Sequence, residues 1–231
     1  KQFRGKSGAG IYGEFTLMVD HMIGRVLKAL KQADMAEDTL VIFSSDNGPV
    51  WYEEDVERFD HDSSGGLRGM KADAWECGHR MPFIVRWPGK VKPGTVNDRL
   101  ICFTDLLATF GELVGTELST DAGPDSFSFY KTLLGQSEPD RPTLVIKSGS
   151  GAMTARQGPW KLITQLGSGG FSKPSRIKTT KGGPAGQLYN LDDDLGELNN
   201  LYDQKPDVVA RISTELKRIQ ENGSSRLPNI Q

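Results

Sequence analysis

The chain has 231 residues, 36% of them hydrophobic, with a formal net charge of −2, which is enough for one sizeable core or a core with a small appended subdomain. No basic stripe offsets that charge, which argues against broad nucleic-acid binding, and no apolar run reaches the length needed to span a bilayer. Cys77 and Cys102 are too few for a disulfide framework and lack metal-site spacing, and the amino terminus lacks the charged-then-apolar order of a signal peptide.

Residues 12–33 predict an amphipathic helix, with Phe15, Val19, Met22, Ile23, Val26, Leu27 and Leu30 recurring at helical steps and an apolar face expected to lie on a sheet. A turn over residues 34–38 feeds the continuous apolar run Leu40, Val41, Ile42 and Phe43, the pattern of a strand covered on both faces, as in parallel α/β sheets. Asp46 and Asn47 then emerge at the strand's carboxyl end, where open α/β folds place ligands, and Gly48 lets the backbone turn sharply. One carboxylate beside one neutral amide oxygen suits a hard cation such as calcium. The same Asp-Asn-Gly string also serves as a plain chain reversal.

Further along, residues 83–87 read as a short strand stopped by Pro88-Gly89. Thr104 is expected to cap a helix over residues 105–114, with Asp105 adding favourable charge at its start. From about residue 119 the pattern shifts to short strands at 143–147, 152–156 and 160–164 between Gly-rich turns, as in an antiparallel sheet. Residues 187–191 form another strand leading into Asp192-Asp193-Asp194, read as a solvated acidic turn. Residues 206–219 form a closing helix with one apolar face. The resulting division is 1–118 and 119–231, the second part being a small antiparallel sheet plus helix.

Asp46-Asn47-Gly48, followed by Arg68-Gly69-Met70-Lys71, then Trp75-Glu76-Cys77-Gly78-His79-Arg80-Met81-Pro82-Phe83 and Trp87-Pro88-Gly89, resembles the later half of a type I, formylglycine-dependent sulfatase. Phe103-Thr104-Asp105-Leu106-Leu107-Ala108-Thr109, Asp125-Ser126-Phe127 and Gly158-Pro159-Trp160-Lys161-Leu162 fall where that family has similar segments. The resemblance implies part of an alkaline phosphatase-like α/β sandwich, with residues 1–118 as the later part of its catalytic domain. It also implies a sulfuric ester hydrolase in which Asp46 and Asn47 complete a calcium site begun by two upstream acidic residues, and in which Lys71 contacts the substrate sulfate. An ammonium on a flexible stem suits that role as a point charge against an anion. Outside that context Lys71 reads as a solvated surface lysine.

His61, ahead of Asp62-Ser63-Ser64-Gly65-Gly66, is a candidate donor to a sulfate or sugar oxygen; the plainer alternative is an exposed loop histidine. Glu76 and Arg80, four apart, read as a scaffolding ion pair. Cys77 and His79 stand where many relatives have glycine and an aliphatic residue, so neither inherits a catalytic role.

The family's Cys/Ser-x-Pro-x-Arg nucleophile signature does not occur before Asp46. Ser172-Lys173-Pro174-Ser175-Arg176 matches the string, but far beyond the Asp-Asn-Gly strand and inside a Gly/Ser/Lys-rich stretch, so it reads as a basic surface loop. Residues 167–183, with Lys173, Arg176, Lys178 and Lys181, are expected to form a mobile surface loop that could border an anionic polysaccharide. The chain therefore reads as a carboxy-terminal portion of a longer enzyme, inactive alone, with the formylglycine and the first metal ligands expected upstream. Without upstream neighbours the strand at residue 40 is expected to leave an apolar edge and face open.

A sulfated small molecule or sulfated carbohydrate is the expected partner, with no nucleic acid and no membrane, and the family implies a periplasmic or secreted location. Two other readings stand beside this one: a phosphoester or phosphonate hydrolase of the same superfamily, and a noncatalytic binding or structural module.

Overall fold

The computed structural model describes residues 2–119 and 121–226. The first helix, α1 (Gly10–Gln32), ends with Asp34 in a left-handed conformation at φ 56°. Its apolar stripe does not seat on a sheet: none of its residues is buried, and Ile11 and Phe15 are 87% and 57% exposed. Strand β1 (Val41–Ser44) pairs antiparallel with β2 (Phe83–Arg86), Val41 opposite Arg86 and Ser44 opposite Phe83.

The one neighbour of β1 among the described residues is thus antiparallel, and the strand is open as expected in the absence of upstream neighbours. Burying an apolar strand on both faces requires a layer on each side. Among the described residues β1 has only β2 beside it, and α1 forms no extensive contact with either strand. All four β1 residues are half-buried and Ile84 of β2 points outward, so an apolar edge and face are left open.

A short helix absent from the periodicity, α2 (Glu53–Phe59), follows the Asp-Asn-Gly turn. Helix α3 (Asp105–Leu113) forms where expected, but Thr104 does not cap it. Thr104 has helical dihedrals and its hydroxyl donates to the Asp125 carbonyl at 3.3 Å. The Asp105 carboxylate instead ties the start of α3 to its surroundings, accepting from the Cys102 and Phe127 N–H groups at 2.8 and 2.9 Å beside the Arg141 guanidinium at 3.2 Å, while the Ser126 hydroxyl accepts from the helical Ala108 N–H at 2.8 Å. A one-turn helix, α4 (Tyr130–Leu133), follows.

The carboxy-terminal strands match the expected pattern. β3 (Leu144–Lys147), β4 (Met153–Gln157), β5 (Trp160–Ile163) and β6 (Gln187–Asn190) form an antiparallel meander in that order. Helix α5 (Pro206–Asn222) starts on a proline, stops at left-handed Gly223, and buries Val208, Val209, Ile212 and Leu216 against Ala155, Leu162 and Leu188. Asp194 of the acidic turn accepts from the Leu198 and Asn199 N–H groups, while Asp192 and Asp193 are exposed. A second apolar cluster brings Ala74 and Trp75 against Ala152, Ile163, Tyr189 and Leu191. That cluster fastens the glycine-rich segment around Lys71 to the meander. Among the described residues no helix is long and apolar enough to cross a membrane.

Candidate functional site

Two backbone hydrogen bonds join the end of β1 to the glycine-rich segment. Gly48 N–H donates to the Gly78 carbonyl at 3.1 Å, and Lys71 N–H donates to the Pro49 carbonyl at 2.8 Å. The approach is so close that a Cβ on Gly48 would lie 1.6 Å from the Cys77 carbonyl oxygen, so only glycine fits. Asp46 is exposed and Asn47 half-buried on this turn, and the Ser45 hydroxyl donates to the Asn47 carbonyl at 3.0 Å. The turn bearing Asp46 and Asn47 and the backbone bearing Lys71 are thereby brought to one edge of the protein.

Lys71 sits on a sharply constrained turn. Gly69 has φ 88° and Ala72, without glycine's freedom, φ 72°. Buried Asp73 holds this turn, one carboxylate oxygen accepting from Met70 N–H at 2.9 Å and the other from Ser172 N–H at 3.1 Å. The Lys71 side chain is half-buried. His61 is exposed, and its contacts run to Trp51: the indole N–H donates to the His61 carbonyl at 2.8 Å, and the rings meet edge-on with centroids 5.8 Å apart. None of those contacts joins His61 to Asp46, Asn47 or Lys71.

Behind the segment lies a buried charge cluster. Glu76, on the 3-10 turn Glu76–Gly78, meets Arg80 at 3.5 Å as expected, but also Lys161 at 2.9 Å, Arg156 at 3.5 Å and His79 at 3.3 Å. Glu197, fully buried, holds the same Lys161 ammonium at 2.9 Å and accepts from Glu76 N–H at 2.6 Å. Burial works to raise the Glu76 pKa, but the Lys161 ammonium and a hydrogen bond with the His79 ring outweigh it and hold the carboxyl well below the usual range. Glu197 has fewer cations, and burial keeps it above the ordinary value despite Lys161. Burial, reinforced by Lys161, lowers the His79 pKa, and burial pushes the Cys77 thiol up to about 11, which leaves it protonated and unreactive.

Sequence reasoning missed Asp73, Lys161 and Glu197. Lys161 and Glu76 are 85 positions apart, so no local spacing could have paired them. The stretch read as a mobile surface loop is also corrected in part. Gly167, Ser168 and Gly169 are buried, and Ala74 N–H donates to the Ser168 carbonyl at 2.7 Å. Small residues let this strand of backbone press against Ala72 and Asp73. Ser172 is held by its backbone there, its carbonyl accepting from the Ser168 hydroxyl at 2.6 Å.

Asp46 and Asn47 supply oxygen donors of the type a hard cation takes, but calcium takes about six to eight oxygens. Among the described residues no three His, Cys, Asp or Glu side chains gather into a metal-binding group. Two such side chains by themselves cover only part of a calcium shell.

The sequence model of the family Sulfatase matches residues 6–116. The chain is 34% identical over 223 residues to the N-acetylgalactosamine-6-O-sulfatase of Bacteroides thetaiotaomicron, covering 94% of this chain and 43% of that protein. It is 29% identical over 237 residues to human arylsulfatase A, covering 95% of this chain and 44% of that protein. A solved structure from the glycosaminoglycan metabolism of Bacteroides thetaiotaomicron matches with a TM-score of 0.83 at 34% identity, covering 95% of this chain and 46% of that one. The chain thus spans less than half the length of these relatives.

Proposed function

The chain belongs to the sulfatase family, and on that footing we propose that it forms part of a sulfuric ester hydrolase in which Lys71 binds the substrate sulfate and Asp46 and Asn47 hold part of a calcium ion. The observation that carries this reading is the pair of backbone bonds that draws the Asp46-Asn47 turn and the Lys71 turn together. Charge on a sulfuryl oxygen is stabilised by fixed cations in a partly water-excluded setting, and the half-buried Lys71 on its constrained turn is such a cation. Calcium held by Asp46, Asn47 and ligands beyond these residues would supply further positive charge to the sulfuryl group.

The formylglycine nucleophile and the remaining metal ligands are supplied from outside these residues. His61, exposed ahead of the Asp62 loop, enters this reading as a second donor to a sulfate or sugar oxygen. A sulfated carbohydrate is the substrate class, supported by the name of the bacterial relative. With sulfatases as its relatives, the phosphoester and noncatalytic readings are not favoured.

The test is sulfate release by the complete polypeptide that carries this chain, with calcium, from an aryl sulfate and from N-acetylgalactosamine 6-sulfate. Lys71→Ala is expected to lower kcat/KM roughly 100-fold or more. A Lys71→Ala enzyme within threefold of the parent sinks the assignment of Lys71.

A further inference from the structure

We propose that the hairpin closed by the bridge between Leu166 and Ile177 is a binding surface for a linear sulfated polysaccharide, extending the sulfate site along the polymer. The proposal deepens the sulfatase reading and rests on it for the position of Lys71.

The first observation is charge. Residues 141–191 contain no aspartate or glutamate, although they carry eight cations: Arg141, Lys147, Arg156, Lys161, Lys173, Arg176, Lys178 and Lys181. Arg141, Arg156 and Lys161 are spent on Asp105, Glu76 and Glu197. Lys173, Arg176, Lys178 and Lys181 are exposed, and among the described residues none forms an ion pair. Four unneutralised cations within nine positions make a local field opposite in sign to the protein's net charge of −2.

The second observation is anchorage. Solvated loops are normally free of the core, but the root of this one is fixed. Ile177 N–H donates to the Leu166 carbonyl at 3.0 Å, and Gly169 N–H to the Ser175 carbonyl at 2.8 Å. Ser172 N–H, immediately before Lys173, donates to Asp73, two positions after Lys71. An open depression of about 540 Å³ beside the bridge is lined by Thr164, Gln165, Arg176, Lys178 and Thr179 together with the apolar Leu166, Ile177 and Ala185. Lys173 and Arg176 are thus presented on a braced element rooted in the turn that carries Lys71, and Lys178 and Lys181 follow its closing bridge.

Together these features favour an anionic chain with one sulfate at Lys71 and neighbouring sulfates or carboxylates along the hairpin. A nucleic acid would offer phosphate to the same cations but has no reason to prefer an element braced against the sulfate-binding turn.

The test is calorimetric binding of a chondroitin sulfate octasaccharide, its chemically desulfated form and a single-stranded DNA of matched charge. The protein is compared with the combined variant Lys173→Ser, Arg176→Ser, Lys178→Ser, Lys181→Ser, and with Lys178→Glu alone in case the combined variant misfolds. The parent is expected to bind the sulfated octasaccharide at least tenfold more tightly than the combined variant and several-fold more tightly than Lys178→Glu. Its affinity should fall roughly tenfold or more as salt rises from 50 to 200 mM. Equal affinity of parent and variants overturns the proposal, as does DNA or desulfated chain binding as tightly as the sulfated octasaccharide. Because binding is read without turnover, failure here is distinct from failure of Lys71→Ala to lose activity.

Discussion

Lys161 Nζ lies 2.9 Å from Glu76 Oε1 with both side chains almost wholly buried, and this one contact ties β5 to the segment that carries Lys71. Ions are costly to bury, so such a contact persists only when each is compensated by its neighbours. Glu76 is compensated several times over. Glu197 depends on Lys161 and the Glu76 N–H.

Replacing Lys161 by Met is therefore expected to destabilise the protein by about 3–5 kcal/mol, since two buried carboxylates lose their shared cation. Adding Glu197→Gln to that variant should restore part of the loss. Urea unfolding checks both, and a Lys161→Met cost under about 1 kcal/mol would show the cluster to be solvated.

Gly48→Ala is expected to cost several kcal/mol, because the new methyl collides with backbone at Cys77 rather than with a side chain able to swing away. The collision also parts the Asp46-Asn47 turn from the Lys71 turn, so in the complete polypeptide, which supplies the remaining ligands, calcium-induced stabilisation should be lost. Thermal melts with and without calcium measure both effects.

The buried His79 ring refuses a proton that the unfolded chain accepts. Its pKa is lowered by burial first and by Lys161 second, so stability should fall as pH drops below about 6.5, by at most about 1.4 kcal/mol per pH unit. In His79→Gln the slope between about pH 6.5 and 5 should flatten. An unchanged slope in denaturant titrations across that range would assign the proton to another group.

Thr104→Ala is expected to cost less than about 0.5 kcal/mol, because its hydroxyl caps nothing. Asp105→Ala should cost about 3–5 kcal/mol, leaving Arg141 buried without its carboxylate and two N–H groups without an acceptor. Comparing the two by urea unfolding decides which residue organises the start of α3.

A thiol reagent at pH 8 is expected to modify Cys102, which is partly exposed, and to spare Cys77 until the protein unfolds, since burial holds the Cys77 thiol near 11. Mass analysis of timed samples reads the order directly.

The sequence by itself determined what repeats locally. The helical stripe of α1 and α5, the short β-rich runs of the meander, the chain break at Pro88-Gly89, and the family strings around Asp46 and Lys71 were all legible, because each is set by spacing within a few residues. Side-chain chemistry also marked Asp46, Asn47 and His61 as candidates, and the family resemblance marked Lys71. What joins them was not legible. Lys161 meeting Glu76, Glu197 sharing that ammonium, and Asp73 reaching Ser172 depend on chain segments far apart in sequence. The failed cap at Thr104 has the same origin, since Asp105 is held by Phe127 and Arg141 from later segments. Tertiary structure also decided that β1 pairs antiparallel with β2, because an apolar run specifies burial but not the neighbour that provides it.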